Sequence, residues 1–121
     1  MRAVTTATAA AVLGIERKAL DNILSRLGED VVPKGRQGVE RRIPVALLSE
    51  LLLTTEIGQR LGGSVREAFA LAQRLTHGES NLGPFLMISA DIASIKAEID
   101  QQLEVAIESV VRRPRGRPPQ A

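Results

Sequence analysis

Ile88, Ile92, Ile95, Ile99, Leu103, Ile107 and Val110 recur at spacings of three and four residues. That is the period of one face of an α-helix; a β-strand, with period two, cannot gather these side chains on one side. Glu98, Asp100, Glu104 and Glu108 form an acidic face on the same stretch. A helix from about Pro84 to about Arg113 is therefore expected, spanning roughly 40 Å to Val111 at 1.5 Å per residue. Such a stripe exceeds what a small domain covers by itself, which favours a homodimer interface over Ile88, Ile92, Ile95, Ile99, Leu103 and Ile107. Packing within the monomer is the plainer alternative.

The rest of the chain is punctuated as helices. Thr5 or Thr6 can cap a first helix to about Leu13, rich in the alanines that favour helix most. Gly14 interrupts it. A second helix runs from Ile15 or Glu16 to about Leu27, with Ala19, Leu20, Ile23, Leu24 and Leu27 on one face and Gly28 as its stop. Pro44 suits the first turn of a third helix, which ends at Gly62-Gly63. Ser64-Val65-Arg66-Glu67 is a capping box, opening a fourth helix to about Thr76. Its stripe is Val65, Ala68, Phe69, Ala72 and Leu75, and residues 78–83 read as a loop. Between the second and third helices, Val31-Val32 and Val39 to Ile43 flank a Gly35-x-x-Gly38 turn, the pattern of a β-hairpin.

The apolar content is nearly all aliphatic: there is no Trp and no Tyr, and the only aromatics are Phe69 and Phe85. Alanine and leucine cores favour closely packed helices over an aromatic-rich β-fold. A mainly α fold follows. With no cysteine, disulfides and thiolate metal sites are excluded. The N-terminus lacks the pattern of a signal peptide, and Ala7 to Val12 is too short to span a membrane. A cytoplasmic location without membrane contact is expected.

Charge is distributed unevenly. Residues 1–42 carry eight Lys/Arg against five Asp/Glu, residues 43–111 four against nine, and residues 112–121 four against none. Basic ends around an acidic middle point to a polyanion at the ends and another task between them.

The two N-terminal helices have the spacing of a helix-turn-helix. Ala10 allows close approach, Gly14 can take a left-handed turn conformation, and Leu13, Ile15, Leu20 and Ile23 would pack between the helices. The second helix then presents Arg17, Lys18, Asn22 and Arg26 outward. Arg and Lys can donate to guanine, and Asn can pair with adenine in a bidentate way. Lys34, Arg36, Gln37, Arg41 and Arg42 line the hairpin that follows, a suitable grip on phosphate or the minor groove.

Helix-turn-helix, basic hairpin and a further helix over residues 5–61 resemble the winged-helix domain of the MerR and excisionase group. The matching pieces are Thr6 to Ile15, then Arg17, Leu20 and Leu24, then Arg41-Arg42-Ile43-Pro44 with Leu47 and Leu48. Ala19 and Leu20 stand where that group has an aromatic pair. The resemblance covers about half the chain. It implies an N-terminal winged helix-turn-helix with a small β-hairpin wing, and double-stranded DNA as ligand. The C-terminal Pro114-Arg115-Gly116-Arg117-Pro118 resembles an AT-hook core. Gly116 would let the backbone reach the floor of a narrow A·T-rich minor groove, while Arg112, Arg113, Arg115 and Arg117 meet its negative potential.

Three regions are thus expected: 1–61 as the DNA-binding domain, 62–111 as a helical dimerising region, and 112–121 as a basic tail disordered without DNA. The expected function is that of a homodimeric, bacterial-type transcription regulator associated with the nucleoid. An architectural nucleoid-associated protein remains open, as does an antitoxin-like adaptor whose residues 64–111 bind a protein partner. No nucleophile, base and orienting group can be assembled, so no enzyme is expected, and neither cofactor nor metal. His77, the single histidine, falls where a helix ends, which suits a helix-terminus role.

Overall fold

The computed structural model describes residues 2–33, 35 and 41–112, with side-chain surroundings through residue 106. Among the described residues, five helices and one two-stranded antiparallel sheet follow in the order β1 (Ala3–Thr5), α1 (Thr6–Leu13), α2 (Arg17–Leu27), β2 (Arg42–Pro44), α3 (Leu48–Leu61), α4 (Val65–Thr76) and α5 (Ile92–Arg112). A short 3-10 turn, Val45–Leu47, leads into α3.

Each boundary has a local cause. Thr5 caps α1, its hydroxyl accepting from the Thr8 amide at 3.2 Å. Gly14 ends α1 at φ 70°, ψ 31°. Its amide donates to the Ala11 carbonyl and that of Ile15 to the Ala10 carbonyl, the paired bonds of a Schellman ending. Gly28 stops α2 at φ 92°. At α4 the capping box forms in full: the Glu67 amide donates to Ser64 Oγ and the Ser64 amide to Glu67 Oε1, both at 3.1 Å. The Ser64 amide, and after it the Ser64 hydroxyl, favours the charged form of the Glu67 carboxylate, so the Glu67 pKa is lowered.

The sheet departs from the sequence pattern. Val31 and Val32 form no strand; their amides donate to the Gly28 carbonyl, so this stretch turns tightly after α2. β2 instead pairs with β1, in the register Ala3↔Pro44, Val4↔Ile43 and Thr5↔Arg42. The Val45 amide adds a bond to the Arg2 carbonyl. Val32 and Ile43 are both buried, so both apolar pieces do serve the core, but the ladder forms between segments far apart in sequence.

The last helix is shorter than expected. It begins at Ile92, eight residues after Pro84. Asp91 sets that start: its carboxylate accepts from the Ser94 amide at 3.0 Å and from Ser94 Oγ at 2.7 Å. These bonds hold the Asp91 pKa below its ordinary value. Residues 80–88 form a narrow turn-back instead, closed by Leu82 N–H to Leu86 O and Ile88 N–H to Ser80 O, each 2.9 Å, with an antiparallel bridge between Asn81 and Met87. A proline with fixed φ and no N–H is well suited to the bend of such a turn.

The apolar stripe of α5 is used inside the chain. Ile99 and Leu103 are each 3% exposed and lie in the main core with Leu13, Leu20, Leu24 and Leu51. Ile88, Ile92 and Ile95 are half-buried against a second cluster of Leu53, Ile57, Ala72 and Leu75. Of the expected dimer seam, Ile99 and Leu103 are thus taken up by the chain's own core, where α1 and α3 pack on α5, while Ile88, Ile92 and Ile95 stay partly exposed. Ile107 lies beyond the described side chains. The expected boundary near residue 61 separates no cores: Phe69 of α4 and Ile99 and Leu103 of α5 join the cluster built by α1, α2 and α3. No helix of the described residues is long and apolar enough to cross a membrane.

Candidate nucleic-acid interface

Residues Gly14, Ile15 and Glu16 connect α1 to α2. The short turn with its left-handed glycine joins two consecutive helices. Ala9 and Ala10 are buried in α1, and their lack of side-chain bulk allows close packing against α2. The inner face of α2 is Leu20, Leu24 and Leu27. At about 100° per residue, Lys18, Asn22 and Arg26 fall on the other half of the helix; Arg17 shares the phase of the leucines but stands on the first turn, and all four are exposed. Ser25 is exposed beside them.

The basic strand end divides in two. Arg42 is exposed on β2. Arg41, expected to contact DNA, is turned inward: its side chain is 14% exposed and its Nη1 lies 3.9 Å from Asp21 Oδ1 on α2. At that distance the two are an ion pair without a hydrogen bond, and Nη1 has no hydrogen-bond partner among the described residues. Arg41 also lines a cavity of ≈ 230 Å³ with Leu24, Ser25, Gly28, Glu29 and Val32. The contact ties the residue just before β2 to α2. Lys34, Arg36, Gln37, Arg113, Arg115, Gly116 and Arg117 lie outside the described residues. Arg112 closes α5, and its side chain is outside them as well.

One residue was missed by the sequence reading. Arg66, on the first turn of α4, donates its Nε–H to the Arg26 carbonyl at 3.0 Å. This places a guanidinium at the C-terminal end of α2, where unpaired carbonyls and the helix dipole favour a cation. It enlarges the basic surface around Arg26. Nothing local in the sequence signals it, because residues 26 and 66 meet only through the packing of α2 on α4.

His77 caps α4, its ring Nδ1 bonding the Gln73 carbonyl at 2.6 Å. Since a carbonyl only accepts, Nδ1 carries the proton. Among the described residues, no group of three His, Cys, Asp or Glu converges to hold a metal ion.

Comparison with protein-family models, with curated proteins and with solved structures gives no match. The functional reading therefore rests on the residues of this chain.

Proposed function

We propose that this protein binds double-stranded DNA as a helix-turn-helix transcription regulator of the MerR and excisionase type. The observation that carries the reading is the division of α2. Its inner half is leucine, held in the core, and its outer half presents Lys18, Asn22 and Arg26 to solvent, with Arg17 exposed on its first turn. A helix so mounted fits the major groove, where Asn22 reads adenine and Arg17 or Lys18 reads guanine or phosphate. Arg42 and Arg66 flank it and supply phosphate contacts, which set register and affinity but carry no sequence information. Lys34, Arg36 and Gln37 add further phosphate contacts, and Arg115-Gly116-Arg117 enters an adjacent A·T-rich minor groove. The protein acts as a homodimer, which doubles these contacts on one duplex.

Selection of bound fragments from a random duplex pool, followed by affinity measurement over a salt series, tests this. Asn22→Ala should relax the preference at one base position, at a cost of about 1–3 kcal/mol for the selected site. Arg42→Ala should weaken all sequences alike and lower the salt slope by about one. Replacing Arg115 and Arg117 by Ala should weaken A·T-rich binding most. If no fragment is enriched and affinity is unchanged by Asn22→Ala, the helix-turn-helix reading fails. If loss is confined to the tail variant, the protein is an architectural binder.

A further inference from the structure

α2 carries three basic residues, Arg17, Lys18 and Arg26, and one acidic residue, Asp21. Asp21 lies at the border between the leucine face and the outer face. Lys18, three positions before it, and Ser25, four after it, are its neighbours on the helix surface, and both are exposed. The Asp21 side chain is itself 49% exposed. A carboxylate at the edge of a surface that meets a polyanion costs Coulomb energy, so its presence there calls for compensation.

Arg41 supplies it. Its guanidinium is largely buried beside Asp21, 3.9 Å away, and Nη1 makes no hydrogen bond among the described residues. A buried cation with an unpaired donor is costly, and the charge of Asp21 is what offsets it here. At this distance the pairing cancels charge without engaging Oδ1 in a hydrogen bond. Asp21 is thus a charge-compensated acceptor, half-exposed next to Lys18 and Asn22.

We infer that Asp21 is a specificity-determining residue, whose carboxylate accepts a hydrogen bond from the N4 amino group of a cytosine in the major groove. Chemistry selects this base. An ionised carboxylate only accepts, and the donors that bases present in the major groove are cytosine N4 and adenine N6. Adenine N6 stands beside the N7 acceptor, which repels a carboxylate and suits the amide of Asn22 instead. Cytosine N4 has no such neighbour. The guanine paired with that cytosine presents O6 and N7, acceptors for the ammonium group of Lys18. Lys18 and Asp21 then read the two halves of one C·G pair, while Asn22 reads an adenine. The inference rests on the helix-turn-helix reading of the proposed function and names a base within its site.

Selection from a random duplex pool with the full chain, with Asp21→Ala and with Asp21→Asn tests it. Sites selected by the parent should hold one position at which cytosine is preferred about tenfold. Asp21→Ala should make that position indifferent and leave the others unchanged. Asp21→Asn, which gains an amide donor, should shift the position towards adenine. It also keeps the side-chain shape, so it carries the test if the alanine variant does not fold. Arg41→Ala should weaken every sequence, and adding Asp21→Ala to it should recover that loss. No recovery overturns the compensation by Arg41. A parent that enriches no fragment overturns the helix-turn-helix reading and this inference together. A parent with selected sites whose Asp21 variants keep every base preference, or only bind all sequences more tightly, overturns this inference alone.

Discussion

Arg66 and Arg26, forty positions apart, meet at the end of α2: the guanidinium Nε–H of Arg66 donates to the Arg26 carbonyl at 3.0 Å. The bond joins the proposed recognition helix to α4. It also offsets one of the carbonyls that any helix leaves unpaired at its C-terminus. The helix is thus held at both ends, by the Gly14 turn and by Arg66.

Arg66→Ala should lower stability by about 0.5–1 kcal/mol, as the contact is exposed and solvent screens it. Urea denaturation measures this. Amide exchange should quicken in the last turn of α2 more than in α1. Equal exchange in both helices would show that the bond does not hold α2.

Gly14→Ala isolates a backbone effect. A Cβ at Gly14 meets nothing within 4 Å, so no clash arises. The φ of 70° is the whole penalty, about 1–2 kcal/mol for an L-residue. Gly14→Asn should cost less, since Asn tolerates the left-handed region. Thermal melting of both variants gives the ranking, and an alanine variant as stable as the parent would contradict the turn conformation.

Leu103→Ala should destabilise the chain by about 2–5 kcal/mol, because the side chain is 3% exposed in the main core. The loss should be the same at low and high protein concentration. A loss that grows on dilution would instead place Leu103 at a subunit contact.

Asp91 and Glu67 make stability depend on acid. Ser94 bonds depress the folded-state pKa of Asp91, and Ser64 bonds depress that of Glu67. A depressed carboxylate contributes stability above its unfolded pKa and loses it as pH falls through the folded value. The parent should therefore melt higher than Asp91→Asn at about pH 7, and the gap should close below about pH 4. A gap of constant size down the titration would show that the carboxylate charge at Asp91 is immaterial.

Much of the helical framework was legible because its signals are local. Thr5, Gly14, Gly28 and the Ser64–Glu67 capping box act on neighbours within a few residues, and each acts where the sequence pattern placed it. The outward set Lys18, Asn22 and Arg26 was legible for the same reason, since helix phase alone separates it from Leu20, Leu24 and Leu27, whereas Arg17 shares their phase and is exposed because it opens the helix. The start of α5 was misjudged because Pro84 suits both a helix opening and a tight turn. The choice fell to Asp91, whose bonds to Ser94 cap the helix, and to Ile88, which packs in the second cluster from outside the helix.

What the sequence by itself determined is the set of helices, their caps and the polar face of α2, since these depend on period and on contacts along one chain segment. Only the tertiary structure decided that Val4 pairs with Ile43 rather than Val31 or Val32 with the strand after the turn, and that Arg41 reaches Asp21 instead of solvent. It also decided that Ile99 and Leu103 serve the chain's own core while Phe85 is left outside it. An apolar residue declares that it will be buried, but not against what. That choice is made by long-range packing, in which every covered face removes a partner from the others.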